Sequence, residues 1–382
     1  MNLTSFLDEK GVEYAPFDPS RFKNFISSHP DFLNILPRTI QIVGTNGKGT
    51  TGRFLAEILK NKGFKVGHFT SPHILSFTER FWFDGMDASE DELEDSFEAM
   101  RLMFKDELNQ LSYFEILTLL ACFYFKDRAD IVVIEAGVGG EYDSTTALPK
   151  ELLLVTPISM DHQGMLGDSI EDIARTKLRA SNCKTIIGFQ PNQSVKDVIS
   201  AEFLGENILF LEDILSSDEL LRIEEYISIN SFASYLAQNL ALAYAASKSL
   251  GINPVLKNIK PLNGRFERIA ENIILDVGHN VDAAKRVAAE LGDKKVVLVF
   301  NCYADKDPQS SLLALRDNIE RVEIIDVENE RLIKKDKLIK VLDKIKVPYR
   351  NFDKIDKNSD YLVFGSFSVA AEFLRRRFEK KI

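Results

Sequence analysis

Short apolar runs and longer stretches of helical period alternate along this chain. The runs at 39–43, 131–135 and 152–158 predict strands buried on both faces, as in a parallel sheet, and 65–70 reads as a further strand. Between them, 50–62 has Phe54, Leu55, Ile58 and Leu59 on one helical face and is stopped by Gly63. Residues 90–107 predict an acidic helix, 112–126 a strongly apolar one, and 1–38 a polar helical lead-in. A long alanine-rich helix is expected over 231–250, ended by Gly251. Pro254, Pro261 and Gly264 mark 253–265 as a linker. Beyond it a second strand–helix pattern begins, with strands near 273–276, 295–301, 322–327 and 361–364. The expected architecture is α/β: an N-terminal doubly wound sheet domain (1–260) and a smaller C-terminal Rossmann-like domain (265–382).

Composition narrows the function classes. With 382 residues, 45% hydrophobic and 28% charged, the chain can build two cores. A net charge of −10 without a dominant basic stripe argues against a nucleic-acid binder, so an anionic substrate must meet local positive charge. Cys122, Cys183 and Cys302 make no metal-ligand spacing and read as reduced thiols. There is no secretory pattern at the N-terminus and no long uncharged apolar stretch, which predicts a cytoplasmic protein without a membrane partner.

Gly44, Thr45, Asn46, Gly47, Lys48, Gly49 and Thr50 lie between the 39–43 strand and the 50–62 helix. Such a layout cradles phosphate: glycines let amides approach anionic oxygens, the helix N-terminus adds partial positive charge, and Lys48 supplies a full one. The spacing departs from the standard P-loop, with a glycine three residues before Gly47 instead of five and Gly49 where Ser or Thr normally follows the lysine. A bare turn with one lysine is also a plain strand-to-helix connection; the flanking elements favour phosphate. Glu135 ends a buried strand and either caps it or holds Mg²⁺ beside the loop. His162, after the 152–158 strand, is structural or bears on a metal. Lys177 falls on the apolar face of a helix capped near Ser169, where it snorkels outward or is retained as a reactive, desolvated amine. Asp276 and His279 follow the first strand of the second domain, with Arg265 just upstream; they form a loop cap or serve a cleft.

In order, these blocks resemble the folylpolyglutamate synthase and dihydrofolate synthase family of Mur-type ATP-dependent amide ligases. The resemblance covers nearly the whole chain. It comprises the loop from Gly44 to Thr50, then Thr70, Ser71, Pro72 and His73 continuing to Phe77 and Arg80, then Tyr113, Phe114 and Glu115. It continues through Glu135 to Gly140 with Asp143, Asp161 and His162, Lys177, Gln238 and Asn239, Gly264 and Arg265, Asp276 to Asn280, and Asp305 to Asp307. It implies that the loop and Lys48 bind the β/γ-phosphates of ATP. Ser71, Glu135 and His162 would hold Mg²⁺, and a carbamylated Lys177 would help place a second Mg²⁺. Asn239 is implied at the adenine, and Arg265, Asp276 and His279 at the nucleotide and the incoming amine. Phe114, Asp143, Pro72 and His73 are implied at the pterin substrate, and Ser366 at glutamate.

The implied reaction is ATP-driven ligation of L-glutamate to dihydropteroate and reduced folates through an acyl phosphate, by a monomer carrying both activities. The second domain is expected to close over the first and exclude water. One departure concerns the segment after the acidic block: relatives read Arg-Leu-Asp-Ala-Thr-Asn, this chain Glu141-Tyr142-Asp143-Ser144-Thr145-Thr146. That alters charge and hydrogen bonding near the implied pterin pocket. Competing readings are folylpolyglutamate synthase activity alone, another Mur-type amino-acid ligase, and a P-loop regulatory NTPase. Gly49 after Lys48 and the polar residues of the second domain argue against the last.

Overall fold

Apolar runs became strands where both faces found apolar partners. The computed structural model describes residues 1–11, 18–161, 163–205 and 207–379, and it divides into two compact units, Met1–Ile223 with Gln238–Lys260 and Glu224–Ala237 with Pro261–Ile382. The first unit holds an eight-stranded sheet. Its strands are β1 (Arg38–Val43), β2 (Val66–Phe69), β3 (Phe81–Phe83), β4 (Met86–Asp87), β5 (Ile131–Glu135), β6 (Leu152–Val155), β7 (Lys184–Ile187) and β8 (Ile208–Phe210), in the order β4-β3-β2-β5-β1-β6-β7-β8. From β2 to β8 all neighbouring pairs in that order are parallel, and β3 and β4 extend one edge as an antiparallel hairpin. The hairpin is absent from the sequence expectation although its turn was legible: Asp84 and Gly85 both adopt positive φ (46° and 114°), which a two-residue hairpin turn requires.

The helix Tyr113–Phe125 is apolar all round because it is enclosed. Its residues join one core with those of Glu90–Phe104 and of the lead-in helices Leu3–Lys10 and Arg21–Ser27. Further along the same face of the sheet a second core, around Val43, Leu153, Val155 and Ile187, takes in Ile173, Ala174 and Leu178. Among the described residues no helix is long and apolar enough to cross a membrane.

The second unit carries β9 (Glu267–Ala270), β10 (Ile273–Leu275), β11 (Val296–Phe300), β12 (Ile319–Ile324), β13 (Tyr349–Asn351) and β14 (Tyr361–Phe364). Their order is β13-β12-β11-β14-β10-β9, with only β9 antiparallel to its neighbour. Two elements start three or more residues from where they were expected. β12 lies three residues before the 322–327 expectation, since pairing with β11 aligns Val296 with Ile319 and Phe300 with Ile324. The helix expected from 231 runs Leu236–Ser249, because Ser231 is left-handed at φ 54° and interrupts the helical path.

His68 in β2 is fully buried, its Nδ1 accepting from Arg53 Nε at 3.4 Å and its Nε2 without a partner. Burial, then the Arg53 charge, holds its pKa well below 6.5. Below about pH 6.5 the unfolded chain takes up a proton that the folded chain refuses. This site's contribution to stability is therefore intact above that pH and falls as pH drops toward the folded pKa. Urea unfolding at successive pH values is expected to show His68→Gln flattening the acid loss, by up to about 1.4 kcal/mol per pH unit.

Candidate active site

The site follows from register. Ile42 pairs with Glu135 across β1–β5, and Val43 with Val155 across β1–β6, so the chain leaves three adjacent strands at one level. That carboxyl edge is where open α/β sheets bind ligands. Gly44 begins the loop at φ 140°, and a Cβ there would overlap Thr156 Oγ1. The amides of Thr45 and Asn46 donate to Pro157 O at 3.0 and 3.2 Å, and Thr45 Oγ1 meets both Ser159 O and Ser159 N. Gly47, at φ 88°, is the N-cap of the helix Lys48–Lys60, and a Cβ there would overlap Asn239 Nδ2. The first-turn amides of that helix lack intrahelical acceptors, as at every helix start. Two of the loop's amides are thus tied to the neighbouring strand end, which leaves those of the first turn as the candidate donors to an anion.

Lys48 Nζ donates to Thr45 O at 3.3 Å and stands 3.8 Å from Glu135 Oε1. Glu135 is 4% exposed, and its Oε2 accepts from Thr70 Oγ1 and from Ser71 N at 3.2 Å. Lys177 is buried, so the alternative in which it snorkels out does not occur; Nζ donates to Gly44 O at 3.0 Å. Burial first, then the Lys48 charge, push its pKa down to about 7, against the raising influence of Asp161 and Asp143. Lys48, Ser71, Glu135 and Lys177 therefore gather around the loop. His162 lies outside the described residues.

Asn239 is buried beneath the loop, its Nδ2 donating to Gly47 O at 3.3 Å and Thr51 Oγ1 at 3.1 Å. Asp143 is likewise committed: Oδ1 accepts from Thr145 N and Oγ1 at 3.0 and 2.7 Å, and Oδ2 from Val138 N at 3.0 Å. It clamps the loop after β5, and burial raises its pKa. That loop docks on the Lys177 helix through Glu141 N to Thr176 O at 2.8 Å and a Glu141–Arg179 ion pair at 3.3 Å. Thr146 donates to Gly140 O at 2.6 Å and accepts from Gln41 Nε2 at 2.6 Å, so Glu141 and Thr146, where relatives read Arg and Asn, have partners within the fold. Pro72 is exposed after a cis Ser71–Pro72 bond, and His73 accepts from Arg80 Nε at 2.9 Å. Phe114 is half-buried, with its ring 6.0 Å from that of Phe69.

In the second unit, Asp276 is buried, and burial raises its pKa. Its Oδ1 accepts from Gly278 N at 2.7 Å and its Oδ2 from Tyr235 Oη and Phe266 N, both at 2.9 Å. The Arg265 guanidinium lies 5.4 Å from the Phe367 ring and the His279 ring 6.2 Å from it. Ser366, implied at glutamate, has no exposed surface; its hydroxyl accepts from Val369 N at 3.1 Å and caps the helix Phe367–Phe378.

Several supporting residues escaped the sequence reading. Glu79 accepts the amides of Ile74, Leu75 and Ser76 at 2.8, 2.8 and 2.7 Å, clamping the loop that carries Ser71 to His73. Its Ser76–Glu79 spacing is a capping-box signal. Gln190 holds Ile158 N and Thr156 O, and Phe367 underlies Arg265 and His279; neither has a local signature. Among the described residues no group of three or more His, Cys, Asp or Glu side chains gathers to hold a metal. One carboxylate beside a phosphate loop still fits Mg²⁺ or Mn²⁺, which bind through one or two carboxylates, phosphate oxygens and water.

No family model matches the chain. The chain is 29% identical to the dihydrofolate synthase/folylpolyglutamate synthase of Haemophilus influenzae, over 97% of this chain and 95% of that protein. It is 38% identical to the folylpolyglutamate synthetase of Helicobacter pylori, whose crystal structure superposes with a TM-score of 0.77 over 99% of this chain and 98% of that one. A bifunctional folylpolyglutamate synthase/dihydrofolate synthase from Yersinia pestis, complexed with AMPPNP and Mn ion, is 26% identical with a TM-score of 0.82 over 99% and 98%.

Gly47→Ala is expected to abolish AMPPNP binding in calorimetry and to destabilise the protein by about 1–2 kcal/mol from the left-handed backbone alone. Adding Asn239→Ala removes the overlap but not the backbone strain, so the double variant should regain only part of that stability.

Proposed function

The chain belongs to the dihydrofolate synthase/folylpolyglutamate synthase family, and on that premise we propose that it is an ATP-dependent ligase joining L-glutamate to dihydropteroate and to reduced folates. The observation that carries the reading is the convergence of Lys48, Glu135, Ser71 and Lys177 on one glycine-rich loop, in a fold shared with a relative solved with AMPPNP and Mn ion. Both activities are proposed because the Haemophilus relative is named for both.

In the first unit, Lys48 and the first-turn amides hold the β/γ-phosphates, and Lys48 balances charge on the phosphoryl group as the pteroate or folate carboxylate attacks the γ-phosphorus in line. The product is an acyl phosphate, whose carbonyl carbon the glutamate α-amine attacks with release of phosphate. Glu135, Ser71 and His162 would hold a divalent cation and a carbamylated Lys177 a second; bound there, the cations neutralise phosphate charge. Phe114 offers a half-exposed aromatic face to the pterin, and Pro72 and His73, which follow Ser71 in the chain, are the other proposed contacts. We assign Asn239 to holding the loop that grips the nucleotide, consistent with its bonds to Gly47 and Thr51. Arg265, Asp276 and His279 of the second unit serve the nucleotide and the amine. Free Cys122, Cys183 and Cys302 suit a reducing cytoplasm, where we propose the protein acts as a monomer.

Lys177 is suited to carbamylation because a pKa of about 7 leaves much of its amine neutral at physiological pH. The nitrogen lone pair forms a bond to CO₂ and the nitrogen loses a proton, turning a buried cation into an anionic oxygen donor.

Purified protein with ATP and Mg²⁺ should release phosphate at full rate only when L-glutamate and either dihydropteroate or a reduced folate are both present. Glutamate-independent turnover at full rate would refute the reading. Lys48→Ala and Glu135→Gln should each lower kcat by about 100-fold or more with an unchanged melting temperature. Enzyme depleted of CO₂ should regain activity on adding bicarbonate, with recovery rising through about pH 7 as the Lys177 amine loses its proton. Lys177→Ala should be inactive and partly rescued by short carboxylates; full activity of that variant would make the lysine merely structural.

A further inference from the structure

We propose that Thr70 is a positioning residue for the cation site: with the Ser71 amide it occupies one oxygen of Glu135, so that the other alone is presented to a divalent cation. The proposal rests on the ligase reading for the presence of a cation beside the nucleotide phosphates.

β2 and β5 are parallel neighbours that align Phe69 with Ile134, so the next residues, Thr70 and Glu135, leave the sheet at the same level. The Thr70 backbone is fixed by its amide, which donates to Arg80 O at 3.0 Å. Its side chain is buried, and a hydroxyl has a single proton to donate. That proton goes to Glu135 Oε2, which also accepts from Ser71 N at 3.2 Å. A carboxylate oxygen has about two lone-pair sites, so two donors fill Oε2. Oε1 faces the Lys48 ammonium, at 3.8 Å beyond hydrogen-bond range. The carboxylate is thereby loaded asymmetrically: one oxygen serves the fold, and the other is open.

This arrangement suits a small hard cation. Mg²⁺ and Mn²⁺ require near-octahedral geometry and lose coordinated water reluctantly, so a monodentate carboxylate of fixed orientation serves them better than a rotating or bidentate one. Hydrogen bonds behind a metal ligand set its orientation, and their removal typically weakens metal binding about 10- to 100-fold. Thr70 and Ser71 thus act from adjacent positions: the threonine hydroxyl and serine amide aim Glu135, while the serine hydroxyl remains a proposed ligand.

The test reads metal binding without turnover. Mn²⁺ binding to the full-length protein holding AMPPNP is followed by electron paramagnetic resonance. Thr70→Val, which keeps the shape and removes the donor, should raise the Mn²⁺ dissociation constant about tenfold. Thr70→Ser, which keeps the donor, should stay within about twofold, and nucleotide affinity measured in EDTA should be unchanged in both. An unchanged Mn²⁺ constant in a folded Thr70→Val protein overturns the proposal, as does equal weakening by Thr70→Ser. If Thr70→Val does not fold, Thr70→Ala is compared with Thr70→Ser under the same criteria. A wild-type protein that binds Mn²⁺ but joins no glutamate refutes the ligase reading and leaves the role of Thr70 standing. An indifferent Thr70→Val refutes only the latter.

Discussion

Gly44 and Thr156 meet where no side chain fits between them, and the first unit's chemistry depends on that apposition. Parallel pairing of β1 with both β5 and β6 brings the phosphate loop, Glu135 and the 156–159 segment to one edge. Close approach then lets Pro157 O take two loop amides and Gly44 O take the Lys177 ammonium. A side chain at position 44 would push the loop from its neighbour and break these bonds together. The rigid cradle is therefore a consequence of sheet register and one missing Cβ, with the loop sequence supplying the groups that line it.

Electrostatics follows from the same crowding. Lys48 and Lys177 both reach the loop. Burial first, and then the Lys48 charge, bring the Lys177 pKa to about 7 while it stays hydrogen-bonded. Glu135 answers Lys48 with one oxygen and is steadied at the other by Thr70 and Ser71. The acidic balance of the chain as a whole does not oppose anion binding here, because a helix N-terminus and Lys48 act at short range.

In the second unit the polar residues serve as fold and as candidate site together. Asp276 gathers Tyr235, Phe266 and Gly278, holding the segment before the helix Leu236–Ser249 and the turn after Gly264 to the end of β10. A buried carboxylate accepting three donors is a satisfied one, so its retention in the fold does not by itself require a ligand. Ser366 and Asp143 illustrate the same point, as their side chains cap or clamp the local backbone. Motif resemblance marks such residues without separating direct contact from support, since both leave a polar residue at a fixed place.

The sequence by itself determined the parallel strands and the glycine-rich turn after β1, because periodicity and glycine punctuation report burial and turns over a few residues; it put Lys177 on an apolar helix face, and the structure decided that its amine stays inside. The hairpin turn at Asp84 and Gly85 was equally local and could have been read. Only the tertiary structure decided what each polar side chain does. Thr70 aims Glu135 across 65 positions, Gln41 reaches Thr146, and Asn239 braces Gly47 from 192 positions away. Hydrogen bonds between distant segments depend on strand register and side-chain direction, and neither leaves a periodic trace in the residues that make them.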